Sequence, residues 1–295
     1  MREQPTGRGW IPWSVLAVGV CAASVSAILI RYAQGIDGIA ISFWRCAAGA
    51  ALLAPFATRG LKRMTTRDTV IPAVAGVCLA AHFATWITSV NMTSIASSVL
   101  LVSTTPIFVA ITARWIFGER LGSLGWFGIA LAMAGAVLIV GLNFAGSTLN
   151  GNILALLGGI TVTGYVIGGR EARQILGILE YAVVTYFVAA LALLPVCLIA
   201  GSDLSGYSDK TWLALAGMVV GPQLLGHTLI NFSLKEIDAT MVSVTVMAEP
   251  VIAIALAFVL FEETPSALAY PGGLAILAGI YLVSVVRRAP AVIVE

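Results

Sequence analysis

Apolar stretches of about twenty residues recur along the chain, each closed by a short polar break. A helix rising ~1.5 Å per residue needs about twenty such residues to cross a hydrocarbon core of ~30 Å. Ten windows qualify, at approximately 11–31, 38–57, 70–90, 95–117, 124–143, 151–170, 178–200, 211–233, 239–261 and 268–286. They predict an all-α polytopic membrane protein of ten transmembrane helices. The breaks carry the expected punctuation, as at residues 59–63, 143–150 and 202–210. No loop is long enough for a soluble domain, so residues 1–295 read as a single membrane domain. Residues 1–8 form a basic lead, but the apolar run behind them exceeds the usual signal-peptide core and lacks a small-x-small cleavage site. That run reads as the first span.

Composition supports the pattern. Hydrophobic residues make up 59% of the chain and charged residues 10%, against roughly 25% charged in soluble domains. Most of the outer surface must therefore face lipid, which excludes most soluble enzyme classes. Placement of charge says more than the net of +2. With the N-terminus in the cytoplasm, the inside segments hold Arg2, Arg8, Arg59, Lys62, Arg63, Arg67, Arg120, Arg170, Arg173, Lys235, Arg287 and Arg288, and the outside segments hold only Arg31 and Lys210. This bias predicts both termini on the cytoplasmic side of a bacterial inner membrane. Cys21, Cys46, Cys78 and Cys197 all lie in apolar runs without C-x-x-C or zinc-type spacing, so they read as packing residues.

The chain also repeats itself. A shift of 144 residues brings Pro106 onto Pro250, Phe117 onto Phe261, Glu119 onto Glu263, Gly128 onto Gly272 and Gly135 onto Gly279. A shift of 139 brings Gly19 onto Gly158, Ser24 onto Thr163 and Arg31 onto Arg170. The expected repeats are 11–143 and 151–286. Five spans is an odd number, so the halves enter the membrane from opposite sides. Inverted repeats of this kind mark secondary transporters, with a site near midplane between the halves.

The residues that repeat also carry a family likeness. The segment from Pro106 through Glu119 to the glycine-rich fifth span resembles the repeat unit of the drug/metabolite transporter superfamily, EamA family. Glu249-Pro250 through Glu263 resembles its second copy, and Phe43-Trp44-Arg45 fits the same pattern. The resemblance covers nearly the whole chain. It implies a ten-span carrier, with both termini cytoplasmic, that exports small organic metabolites by alternating access. Among such carriers the chain is most similar to bacterial exporters of aromatic and other neutral amino acids.

Polar side chains at membrane depth are costly and must face protein or water, which makes them the candidates for a site. The eighth span carries Gln223, His227 and Asn231 at i, i+4 and i+8; the third carries His82 and Trp86 at i, i+4. The two histidines are the chain's only ones and sit 145 apart, in nearly equivalent places. Each reads as a satisfied interhelical hydrogen bond or as part of a substrate site. Glu249 is the single carboxylate well inside a span. It reads as a cap on the helix broken by Pro250 or as a group for a substrate ammonium or a proton. His82 and His227 are the next proton carriers to consider. Ser24, Thr163 and Tyr165 complete the candidate substrate set, with Tyr165 and Trp86 as aromatic walls. Arg45 either snorkels to the outer interface or pairs with a substrate carboxylate. Pro106, Pro250, Glu119 and Glu263 read as structural.

No G-x-S-x-G, H-E-x-x-H or P-loop motif occurs, so the sequence points to no catalytic residues, metal or cofactor and to no use of ATP. The expected partners are a small-molecule substrate and membrane lipid, with no nucleic acid and no predicted oligomeric state. Efflux of cationic drugs or sugar-like metabolites is the rival within transport. A membrane enzyme or lipid-binding module is the rival outside it.

Overall fold

The computed structural model describes residues 9–141 and 146–288, without the side chains of 95, 96 and 286–288. Arg2, Arg8 and residues 142–143 of the expected fifth span lie outside the described residues. Among those described, the chain is helical throughout, with ten membrane-length helices: α1 (Ile11–Tyr32), α2 (Gly38–Leu61), α3 (Thr66–Met92), α4 (Ser97–Phe117), α5 (Ser123–Val140), α6 (Leu149–Ala172), α7 (Ile178–Ala200), α8 (Asp209–Ser233), α9 (Ala239–Phe261) and α10 (Ala269–Arg288). Nine of them combine length with strong hydropathy, and α10 has a shorter apolar core at Ala269–Val285. Ten crossings bring the ends of the bundle to one face, here the termini face; the opposite one is the far face.

Side-chain caps place many helix starts. Asp37 accepts from the Ile39 and Ala40 amides at the head of α2, and Thr148 and Ser208 do the same for Gly151 and Thr211. A capping box of Thr65 and Asp68 starts α3 four residues earlier than its apolar run suggests. Between these caps the outward faces are strongly apolar, with Phe56, Trp115 and Ile199 more than 70% exposed. Such side chains are favourable only against lipid.

Packing follows the repeat. Helix α2 lies against α7 and α5 against α10, so each of these four meets its own repeat mate. Helix α3 packs on α6, and correspondingly α8 packs on α1. The α5–α10 seam is drawn close by glycine: a β-carbon on Gly128 would stand 2.8 Å from the Gly279 carbonyl oxygen, and one on Gly272 would stand 2.7 Å from that of Gly135. These are the four glycines that the 144-residue shift superimposes.

Four helices are interrupted. α4 breaks at Ser103–Thr104 and α9 at Met247–Ala248, which are equivalent positions two residues before Pro106 and Pro250. Proline has no N–H for the carbonyl four residues back. In α4 that carbonyl, on Val102, accepts from the Thr105 hydroxyl at 2.6 Å instead. Helix α1 breaks at Val25, and α8 contains a π-helical stretch, Val219–His227, around Pro222.

The equivalent turns after α4 and α9 differ in one residue. Gly118 (φ +70°) ends α4, whereas the same left-handed position after α9 is held by Glu262 (φ +58°). A side chain there is strained by roughly 1–2 kcal/mol. Glu262→Gly should therefore raise stability by up to about 1 kcal/mol after the added freedom of the unfolded chain is subtracted. Thermal unfolding in detergent reads this directly.

The two halves are not equally packed. Pro106, Val109, Ala110 and Ala113 of α4 are buried, while their mates Pro250, Ala253, Ile254 and Ala257 of α9 are only half-buried. The α4 segment joins an apolar cluster with Leu16, Val20, Ile167, Leu234 and Val242, contributed by the termini-side halves of α1, α6, α8 and α9. The termini face is thus sealed, and the far half of α9 is the loose element.

Candidate substrate site between the repeats

Phe83 of α3, buried to 4% exposure, is the hub of the polar interior. The His82 ring lies 5.5 Å from it, His227 meets it edge-on at 6.2 Å, and the Arg45 guanidinium stands over it at 5.4 Å. The His82 ring stacks on Trp86 at 5.8 Å and 8°. These five side chains come from α2, α3 and α8.

Both histidines are oriented by hydrogen bonds. His82 Nδ1 lies 2.9 Å from the Gly158 carbonyl oxygen. A carbonyl only accepts, so Nδ1 carries the proton and the neutral ring presents Nε2 as an acceptor. On the other side, Asn231 Nδ2 donates to the Tyr165 hydroxyl (2.5 Å) and to the His227 carbonyl (2.7 Å), and Tyr165 Oη is 3.4 Å from His227 Nδ1. With its oxygen accepting from Asn231, Tyr165 donates to His227 Nδ1. Gly169 admits this arrangement, because a β-carbon there would stand 2.6 Å from Asn231 Oδ1. Tyr165→Phe would leave a buried amide and imidazole short of partners, at a cost of about 1–3 kcal/mol. Thermal unfolding of the purified variant should show that loss.

The π-helical turn shapes the remaining wall. The Gln223 carbonyl accepts from the Thr228 amide, from the Thr228 hydroxyl (3.3 Å) and from Tyr186 Oη (3.4 Å), while Tyr186 and Thr228 hydroxyls pair at 3.0 Å. The Gln223 side chain then lies fully buried against Gly49 and Tyr186.

Several polar atoms here are buried without a partner: Arg45 Nε, Trp86 Nε1, both amide atoms of Gln223, and Asn231 Oδ1. Interiors rarely leave such groups unpaired, since each costs on the order of 1–3 kcal/mol. Their gathering on α2, α3 and α8, with aromatic and imidazole rings between them, describes a surface built to meet something polar.

The arrangement brings together His82, Trp86, Tyr165, Gln223, His227 and Asn231. Glu249 stands half-buried at the break of α9, and no ion pair among the described residues includes it. Ser24 and Thr163 stand apart from this network. Their hydroxyls back-bond to Val20 (2.8 Å) and Gly159 (2.9 Å), which are themselves equivalent positions, so they act on the course of α1 and α6. Arg45 does not snorkel. It is 7% exposed and points inward. Phe83 and Tyr186 escaped sequence reasoning because an aromatic residue in an apolar span carries no signal of its facing.

The end-of-span acids do more than orient local turns. Glu119 pairs with Arg170 of α6, and Glu263 pairs with Arg31 of α1. These are the same pair of positions in each repeat, seen once on each face.

An inverted-repeat bundle with broken helices and an interior polar junction defines a membrane transporter of small molecules. The sequence profile of the EamA-like transporter family matches residues 10–141 and again 149–285. The chain belongs to that family. A transporter of Archaeoglobus fulgidus, itself named as uncharacterized, is 26% identical over 262 residues, spanning 84% of this chain and 88% of that one. The inner membrane transporter YedA of Escherichia coli K12, also named as uncharacterized, is 29% identical over 233 residues, 75% of this chain and 72% of that one. A solved crystal structure with 17% identity superposes with a TM-score of 0.81 and covers 94% of this chain and 98% of the other, a likeness of fold.

Proposed function

We propose that this protein is a secondary carrier of the bacterial inner membrane that exports neutral amino acids, aromatic ones included, by alternating access. The observation that carries the reading is the set of unpartnered buried polar atoms beside flat rings at the junction of the repeats. Trp86, His82 and Phe83 offer an apolar, stacking wall for a side chain, and Gln223, Asn231, Tyr165 and His227 offer hydrogen bonds to polar groups. Ser24 and Thr163, on α1 and α6, back-bond to the carbonyls of Val20 and Gly159. With the basic residues gathered on one side, both termini are cytoplasmic, and the described conformation is closed toward the cytoplasm.

Transport runs on gradients, since the sequence holds no nucleotide-binding motif. Glu249 is the principal candidate for proton coupling, with His82 and His227 next. It stands half-buried at the break of α9, and a carboxylate there can hold either a proton or a substrate ammonium in alternation. Reconstituted protein should show counterflow of one or more members of an amino-acid panel; movement of none removes the substrate reading. Glu249→Gln should abolish acceleration by an imposed pH gradient while retaining counterflow at a raised KM. A variant that keeps its full response to the gradient would make Glu249 structural.

A further inference from the structure

We propose that Arg45 and Glu249 are the two poles of a site for a zwitterion, with Arg45 taking the carboxylate and Glu249 the ammonium. The proposal rests on the amino-acid reading above. The Arg45 guanidinium has five N–H donors. Among the described residues its hydrogen bonding amounts to one long contact, 3.4 Å to the Ser26 hydroxyl, and Nε has no partner. None of the ion pairs found among the described residues includes it. A cation this deep in a membrane protein, 7% exposed and held by an aromatic face at 5.4 Å, lacks the counter-charge that burial ordinarily demands. Glu249 opens the half of α9 that packs against α1, the helix whose Ser26 hydroxyl Arg45 contacts, and no ion pair among the described residues includes it.

The two groups belong to different repeats, α2 in the first and α9 in the second. A ligand with adjacent anionic and cationic groups would complete both and bridge the halves. The planar fork suits a carboxylate held by two bonds. Phe83 under the guanidinium, with His82 and Trp86 beyond it, leaves the apolar remainder of the ligand against rings.

Binding to the purified full-length protein, followed by thermal stabilisation, tests this with three probes: L-phenylalanine, L-phenylalaninamide and 3-phenylpropionate. The expected result is at least a tenfold weaker affinity for the amide than for phenylalanine in the wild type, and loss of that discrimination in Arg45→Gln. Arg45→Lys should retain part of it. Equal affinity of the wild type for acid and amide overturns the proposal, even if amino acids are transported, and needs no variant to fold. Binding of 3-phenylpropionate but not phenylalanine, dependent on Arg45, would keep the carboxylate pole and overturn both the ammonium pole and the amino-acid reading. Binding of none of the three overturns the whole.

A separate observation carries a second inference. On the termini face Glu119, 8% exposed, is seated on the N-terminus of α9, accepting from the Ala239 amide (3.4 Å) and the Thr240 hydroxyl (3.3 Å). Arg170 lies 3.7 Å from it, donates to the Leu234 (2.6 Å) and Lys235 (3.1 Å) carbonyls at the end of α8, and reaches Asp238 at 3.8 Å. On the far face, among the described residues, the equivalent Glu263 and Arg31 hold one another and, through Arg31, the Phe261 ring. The equivalent seat is the backbone at the start of the helical segment Ile95–Val102 that leads α4, where Ser94 corresponds to Asp238 and Ala96 to Thr240. We infer that these are two copies of one latch, and that the carrier's converse state moves Glu263 and Arg31 onto the start of α4 while Glu119 and Arg170 release α9. The looser packing of the far half of α9 gives that movement room.

Disulfide trapping in membranes tests this after Cys21, Cys46, Cys78 and Cys197 are replaced by alanine. The pair Glu119→Cys with Asp238→Cys should cross-link in the state described. Glu263→Cys with Ser94→Cys should cross-link as the carrier cycles, and each bond should reduce L-phenylalanine counterflow at least tenfold until a reductant restores it. The second pair, exposed Glu263 and half-buried Ser94, lies outside the sealed cluster, so it reads independently of any folding defect in the first. Failure of Glu263→Cys with Ser94→Cys to cross-link, in protein whose counterflow is intact, overturns the inference.

Discussion

Replacing Glu119 with alanine should destabilise the protein by roughly 3–5 kcal/mol, the cost of stripping one partner from a buried ion pair. The loss should fall toward the lower end, because Arg170 keeps two carbonyls and Asp238. The removed carboxylate also held the first amide of α9, so the sealed face should loosen together with the stability. Thermal unfolding reads the first effect, and increased thiol labelling of a Ser243→Cys probe in the same background reads the second. The far-face pair gives the contrast. Arg31 and Glu263 are each about half exposed, so Glu263→Gln should change stability little and only at low salt. Its hydrogen bond to Arg31 holds the Glu263 carboxyl below the usual carboxylate range. The pair therefore contributes above that range and is lost as pH falls through the lowered value. Equal losses from Glu119→Ala and Glu263→Gln would contradict the difference in burial.

Gly135→Leu should abolish accumulation of folded protein. Even a methyl group at that position would stand 2.8 Å from the Ile276 backbone nitrogen and side chain, and one on the facing Gly272 would stand 2.7 Å from the Gly135 carbonyl oxygen. Overpacking typically costs about 1–3 kcal/mol when side chains can adjust. Here the obstacle is backbone, so the cost lies beyond that range, and the helices must part along the whole α5–α10 seam. Gly273→Ala is the control. Its β-carbon would meet Val251 at 3.6 Å, an ordinary contact, and should leave yield and unfolding temperature nearly unchanged. Size-exclusion profiles of the two variants decide the matter.

Some of the site was legible along the chain because it breaks a rule that holds locally. A histidine, an amide or a carboxylate at membrane depth is costly wherever it points, so His82, Gln223, His227, Asn231 and Glu249 announce themselves. Arg45 showed its charge but not its destination, since a side chain that long reaches either the interface or the interior. The rotation of α2 against α3 decides it, by placing the guanidinium over Phe83. Phe83 and Tyr186 obey the local rule and are invisible until helices pack. Ser24 and Thr163 illustrate the converse: their polarity is spent within their own helices. The π-helical turn of α8 surrounds Pro222, which nothing in the local pattern of the eighth span singles out.

What the amino-acid sequence determined by itself is the number of crossings, the inverted pairing of the halves and the helix break at Pro250 with its repeat mate Pro106. Each follows from sums over neighbouring residues: the transfer cost of an apolar window, the missing N–H of Pro106 and Pro250, and the recurrence of glycine and glutamate at one offset. What only the tertiary structure decided is which polar groups meet and which half is sealed. The two repeats carry the same Arg–Glu pair and similar α4 and α9 segments, so the sequence is nearly indifferent between the faces. The asymmetry comes from packing across the bundle, which buries Val109, Ala110 and Ala113 and leaves their mates half-buried around Glu249.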